Sequence, residues 1–150
     1  MEAMQHCPDC GAAWADGLTC EQHFHQMAAW ELEHAIYDVH HLLVLCYHLQ
    51  HPRLYSPSGL AGALRLLVDF VVLGMTPQQV RQRDRAALDS GRRRARITGT
   101  PDSHGSYDPP VHWTTTVPDV TAGGVAGYSD RVRAWAQTVF DALNDSGNLL

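Results

Sequence analysis

The sequence predicts a mainly α-helical fold: a single small domain of about four helices, with a cysteine-rich knuckle in front. Apolar residues recur at helical spacing over much of residues 21–89 and again over residues 128–144. Between them, residues 90–127 are rich in Gly, Pro, Thr and Asp and show no helical period, which indicates an irregular or short-stranded insert before the last helix. A chain of 150 residues is long enough for one domain with a buried core, so residues 1–150 are expected to form a single domain.

Residues 1–25 contain the ligands of a zinc knuckle. Cys7-Pro8-Asp9-Cys10-Gly11 pairs two thiols across a tight turn that the glycine permits, and Cys20 supplies a third thiol. The fourth ligand is His23 if it shares a helical turn with Cys20, or His25 if Cys20 precedes the helix. Three thiolates and one imidazole suit a closed structural zinc site, whose binding energy is folding energy.

One long helix is expected from about residue 21 to residue 50, because this stretch contains no glycine or proline and is followed by His51-Pro52. At 100° per residue, one apolar face forms the expected core side of this helix; its members are Leu32, Ile36, Val39, Leu43 and Cys46.

Two further helices are expected before residue 90. Ser56 is placed to cap a helix that has Pro57 in its first turn and ends at Gly74. Thr76 and Gln79 form a capping-box pattern at the start of the next helix, which runs into an arginine cluster.

The insert and the last helix complete the chain. Residues 95–98 and 111–117 are expected to form short strands, or an ordered loop laid over the helices. Ser129 is expected to cap the last helix, whose apolar pattern ends before Asn144.

Charge and hydropathy exclude several classes of protein. The net charge of −5 argues against a general nucleic-acid binder, although residues 81–96 hold seven arginines and only two aspartates. Within that stretch four arginines are candidates for binding a small anion: Arg92, Arg93, Arg94 and Arg96. No apolar run is long enough to span a membrane, and no secretory leader is recognisable, so a cytoplasmic location is expected.

A second group of polar side chains offers candidate catalytic residues. His40 and Tyr47 lie on the predicted long helix, and His51 follows it directly. His112 and Asp119 lie in the insert. His40 and His51 would lie about 16 Å apart along an unbroken helix, so they could not share one metal ion there. The alternative is that Gln50 and His51 only cap the helix and fix its end.

Several motifs resemble a family of small bacterial proteins that is catalogued only as a domain of unknown function. The motifs are the Cys-Pro-x-Cys-Gly start, Phe24-His25-Gln26, Val39-His40-His41-Leu42, the Tyr-x-x-Gln-His-Pro segment at residues 47–52, Trp113-Thr-Thr-Thr and Asp119-Val120. The resemblance brings no activity. It favours His25 over His23 as the fourth zinc ligand.

Two functions remain open from the sequence. The first is a zinc-stabilised helical module that binds a protein partner or a small anionic ligand. The second is a small metal-dependent or acid–base enzyme with a site between the long helix and residues 112–119. The first is favoured, because sequence spacing assembles no complete catalytic set. The sequence decides neither whether the protein is an enzyme nor its oligomeric state.

Overall fold

The structure is a computed structural model that describes residues 5–88 and 97–149, and it is mainly helical as predicted. Within these residues there are six α-helices and one short 3-10 helix, and no strand, only isolated β-bridges. The chain forms two compact units. One consists of the chain up to His51 together with the chain from Asp108 onward, and the other is Pro52–Tyr107. The single domain expected from the sequence stays a prediction.

The first unit contains four helices. They are α1 (Cys20–Glu33), α2 (His40–Leu49), α5 (Val117–Thr121) and α6 (Tyr128–Asp145). Helix α1 packs against α2 and α5, and α6 packs against α2 and α5. A capping box starts α1, in which Thr19 accepts the backbone N–H of Gln22 and the Gln22 side chain accepts the backbone N–H of Thr19.

The prediction of one long helix over residues 21–50 is wrong, because the chain reverses between α1 and α2. Helix α1 ends in a Schellman arrangement: Ile36 N–H donates to the carbonyl of Glu31 (2.9 Å) and Ala35 has a left-handed φ of 52°. The resulting antiparallel hairpin breaks the predicted apolar face. Leu32, expected in the core, is therefore 77% exposed.

The core of this unit forms around α6. Its inward side chains follow the predicted helical spacing and are almost completely buried; they include Val132, Trp135, Val139 and Leu143. Each such side chain contributes roughly 1.5–3 kcal/mol through burial. Ser129 is not the N-cap that the sequence suggested. Gly127 precedes the helix in a left-handed conformation, and the Ser129 hydroxyl donates to Asp38 (2.9 Å).

The second unit contains the 3-10 helix Pro52–Leu54 and helices α3 (Pro57–Val71) and α4 (Pro77–Leu88). Ser56 caps α3 as predicted, since its hydroxyl accepts the Gly59 N–H at 2.9 Å. The predicted capping box of α4 is also present. The two helices are joined by an ion pair between the buried Asp69 and Arg83, with an N–O distance of 2.8 Å.

The described part of the insert is irregular rather than stranded. Residues 111–116 belong to no helix or strand, and α5 starts where the second strand was expected to end. This short helix and the split of the long helix explain why six α-helices are seen where about four were expected. The anion-binding candidates Arg92, Arg93, Arg94 and Arg96 lie outside the described residues, so their role stays a prediction.

None of the helices in residues 5–88 and 97–149 combines the length and the apolar character that crossing a membrane requires.

The left-handed Ala35 generates a stability prediction. An exposed alanine in this conformation carries a steric cost that glycine lacks, so Ala35→Gly should raise the free energy of unfolding by about 0.5–1 kcal/mol. The control is Ala29→Gly inside α1. This substitution should lower the free energy of unfolding by about 1 kcal/mol. Thermal unfolding of both variants measures the difference. A lower melting temperature for Ala35→Gly would contradict the assigned chain reversal.

Candidate metal centre

Four buried side chains bring their donor atoms together in the first unit. The ligand atoms of Cys7, Cys10, Cys20 and His51 all lie within 4.8 Å of one another. The Cys7 sulfur is 3.5 Å from His51 Nε2, and the Cys10 and Cys20 sulfurs are 3.7 Å apart. All four residues are at most 9% exposed. A cluster with this spacing and composition could hold one metal ion.

The knuckle, residues 7–11, presents two of the thiols. Cys7 N–H donates to the Ala12 carbonyl (2.8 Å) and Gly11 N–H donates to the Cys7 carbonyl (2.9 Å), so the chain closes tightly on itself. Gly11 makes this turn with a φ of 77°, which a side chain would disfavour. Backbone hydrogen bonds of the knuckle therefore hold both sulfurs in place.

Backbone and ring contacts orient His51. Its Nδ1–H donates to the Tyr47 carbonyl at 2.6 Å, so Nε2 is the ring nitrogen that faces the sulfurs. The Tyr47 ring packs on the imidazole, with centroids 4.7 Å apart, and stacks on Phe24 of α1 at 4.4 Å. This aromatic stack fixes the imidazole plane across the α1–α2 hairpin.

A tryptophan indole supports one sulfur. The indole N–H of Trp14 donates to the Cys20 sulfur at 3.4 Å. A donor of this kind stabilises a thiolate, the form of cysteine that binds metal. Cys20 is the first residue of α1, so its backbone position is set by the capping box.

The electrostatics favour a cation at the centre. Hydrogen bonds from Cys10 and Cys20, and a further one with His51, lower the pKa of Cys7. Contacts with Cys20 and Cys7, together with burial, raise the pKa of Cys10. Burial would lower the pKa of His51, but hydrogen bonds to Cys20 and Cys7 outweigh it and raise the pKa to about 10. Three buried thiolates repel one another, so a divalent cation is the partner that lets all of them ionise.

His51, rather than His25 or its alternative His23 that the sequence favoured, is the histidine that lies beside the three thiols. His25 is exposed on α1, beside the ring of Phe24. His23 is buried, but its Nε2 faces the Asp16 carboxylate at 3.1 Å. Neither is among the residues that cluster with the thiols in the described chain. The physical reason is the reversal of the chain at residues 34–39, which returns the end of α2 to the start of α1.

The five candidate catalytic residues do not form one site. Tyr47 and His51 lie at the metal-binding end of α2, whereas His40 starts that helix, about 10 Å away along the axis. His40 Nδ1 instead contacts the buried carboxylate of Glu31 at 2.7 Å, and that carboxylate also accepts the Tyr128 hydroxyl at 2.8 Å. Through these two contacts, Glu31 links the end of the hairpin near residues 34–39 to α6. Burial, then the Glu31 contact, raises the pKa of Tyr128.

His112 and Asp119 both line a cleft beside the knuckle, with Cys10 also in its wall. Both residues are exposed, and Asp119 accepts the backbone N–H of Thr116 at 2.9 Å as part of the α5 capping box.

Sequence reasoning missed two residues of the centre. Trp14 was not singled out, although its place in the short loop between Cys10 and Cys20 is a signal that it packs near the thiols. Phe24 gave no sequence signal for its place beside Tyr47, because that contact exists only once α1 and α2 form a hairpin.

Fold and cluster together define the protein as a small helical protein with a buried Cys3His cluster. A comparison with family models matches residues 5–144 to DUF5946, a family of unknown function. This match spans most of the chain, and the protein belongs to that family. No curated protein and no solved structure matches the chain.

The Trp14 contact generates a prediction about metal affinity. Trp14→Phe keeps an aromatic ring but removes the N–H donor to Cys20, so the affinity for Zn²⁺ should fall by about tenfold. Competition with a chromophoric chelator measures it. Trp30→Phe is the matched control, because Trp30 contacts the Tyr128 ring instead and should keep the wild-type affinity. Equal affinities for the two variants would contradict a role of the indole at the sulfur.

Proposed function

We propose that this protein is a non-catalytic interaction module whose fold depends on one zinc ion held by Cys7, Cys10, Cys20 and His51. The observation that carries the proposal is the set of four buried donor atoms within 4.8 Å of one another. Thiolate and imidazole are the ligands that Zn²⁺ prefers in structural sites, and a complete set of four leaves no position for a substrate.

The surroundings of the cluster support a structural role. Trp14 supplies a hydrogen bond to one ligand, and the Tyr47 carbonyl supplies one to another. Such outer contacts fix the ligands in a single arrangement. The ion would join the knuckle, the start of α1 and the end of α2, which are far apart in the sequence.

The alternative is a small metal-dependent or acid–base enzyme with a site between α2 and residues 112–119. It has less support, because His40 lies at the opposite end of α2 from Tyr47 and His51. The residues His112 and Asp119 remain available at the cleft beside the knuckle.

Zinc content tests the proposed ligand set. Wild-type protein should contain one zinc per chain by elemental mass spectrometry. His51→Ala should lose most of it, because three thiolates alone leave the site open and reduce its affinity. Cys10→Ser should do the same. The matched controls are His25→Ala, on the exposed side of α1, and Cys46→Ala, at a buried thiol outside the cluster.

Both controls should keep one zinc per chain. Full zinc content in His51→Ala, or loss of zinc in His25→Ala, would show that the fourth ligand has been assigned wrongly. Zinc absent from purified wild-type protein, and not taken up on addition, would overturn the proposal.

Metal removal separates a structural ion from a catalytic one. Chelation should expose residues 5–20 and the end of α2 to rapid amide hydrogen exchange and lower the melting temperature, because the ion's binding energy is part of the folding energy. The core helix α6 serves as the internal reference. Chelated protein that keeps the melting temperature and exchange protection of the zinc form would contradict a structural role.

A further inference from the structure

Two clefts flank one irregular segment of the first unit. The first cleft, of about 500 Å³, lies between residues 9–13 and residues 111–119. The second, of about 540 Å³, lies between residues 110–114 and the last turns of α6. His112 and Thr114 line both clefts. The 110–114 segment is therefore the ridge of a single surface, which we call the double groove.

Acidic side chains lie on both sides of this ridge. Asp119 lines the first cleft, and Asp141 and Asp145 line the second. All three are exposed, and none of them forms an ion pair with an arginine of the described chain. No arginine is found among the described residues that line either cleft. The double groove thus presents uncompensated negative charge.

The positions of Asp141 and Asp145 are costly for the fold. They are one turn apart in the last turns of α6, where like charges repel and the helix dipole disfavours carboxylates. Asp141 accepts only a neutral amide, that of Gln137 at 3.0 Å. Stability therefore does not explain these two carboxylates, whereas a cationic ligand would.

Three residues of the ridge have main-chain groups that do not pair with other main-chain groups. Val111, His112 and Thr114 form no hydrogen bond to another main-chain group of the described residues. His112 and Thr114 are both exposed, and the chain here is irregular, with a bend at Thr114. A peptide in extended conformation can form hydrogen bonds with such groups and place alternate side chains on either side of the ridge.

We propose that the double groove binds an extended, arginine-rich segment of a partner protein. The ridge would pair with the peptide backbone, and guanidinium groups would reach Asp119 on one side and Asp141 or Asp145 on the other. Arginine fits better than lysine, because its planar guanidinium binds a carboxylate through two hydrogen bonds and stacks on an aromatic ring. The half-buried Trp113 provides such a ring in the first cleft.

The double groove is connected to the metal centre, and in this respect the inference rests on the proposed function. Gln50, completely buried and adjacent to His51, donates its side-chain N–H to the Thr115 carbonyl at 2.7 Å. Cys10 and Gly11 of the knuckle form a wall of the first cleft. Loss of the metal should release both supports, so peptide binding should require zinc.

Fluorescence anisotropy with the zinc-loaded full chain tests the proposal. The probe is a fluorescein-labelled peptide of three Gly-Arg repeats, and the comparison peptide carries citrulline, which is neutral and nearly isosteric with arginine. The arginine peptide should bind with an affinity that falls as salt is raised. The double variant Asp141→Asn with Asp145→Asn should weaken binding about tenfold while zinc content and melting temperature stay at wild-type values.

The matched control is the double variant Glu33→Gln with Asp130→Asn. It removes the same two charges from exposed positions at the end of α1 and the start of α6, outside both clefts, and should change the affinity less than twofold. Equal binding of the citrulline peptide, or unchanged affinity in the double variant of Asp141 and Asp145, would overturn the double groove as an arginine site. The zinc proposal would stand in either case if zinc content is normal.

Two further outcomes distinguish the occupant and the role of zinc. Sedimentation should give the same mass for wild type and double variant. Self-association that depends on Asp141 and Asp145 would make a second copy the occupant and overturn the assignment to a partner protein. Peptide binding that survives complete zinc removal would overturn the connection to the metal centre.

Discussion

The reversal of the chain between α1 and α2 is the constraint on which the rest of the first unit depends. On one continuous helix, Cys20 and His51 would be about 46 Å apart. The hairpin instead places the start of α1 beside the end of α2, and the stacking of Phe24 on Tyr47 holds the two helices in that register. At the opposite end, the buried Glu31 links His40 and Tyr128 across three helices. The Cys3His cluster therefore forms because both ends of the hairpin are fixed by specific polar and aromatic contacts.

A cluster of this kind cannot be stabilised by its own side chains. Burying three thiols next to an imidazole leaves protons that must be shared, which is why the pKa of Cys7 is lowered while that of Cys10 is raised. A divalent cation removes the conflict, since each sulfur can then carry its charge. The knuckle hydrogen bonds, the Trp14 indole and the Tyr47 carbonyl all act on the ligands from outside the cluster. This division between inner donors and outer supports is typical of a structural metal site.

Sequence reasoning succeeded where the chemistry is local and failed where it depends on a chain reversal. The knuckle, the caps of α3 and α4 and the apolar stripe of α6 are patterns within a few residues, and the structure contains each of them. The break at residues 34–39 contains no glycine or proline, and its left-handed residue is an alanine, so periodicity continued through it. His51 was a candidate catalytic residue, but its distance from the thiols depended on that break. A weak signal existed in Ile36-Tyr37-Asp38-Val39, four residues of low helix propensity.

The position of the metal centre bears on what the protein can recognise. A closed Cys3His site has no open position for chemistry, but it controls the geometry of the surface built on it. Cys10 and Gly11 form part of the cleft wall, and Gln50, next to His51, holds the 110–114 segment through Thr115. The carboxylates of α6, by contrast, are fixed by the hydrophobic core and do not need the ion. In the proposed zinc form, metal ligation would position one side of the double groove, whereas apolar packing positions the other. A ligand that must touch both sides would sense the presence of the metal although it never contacts the ion.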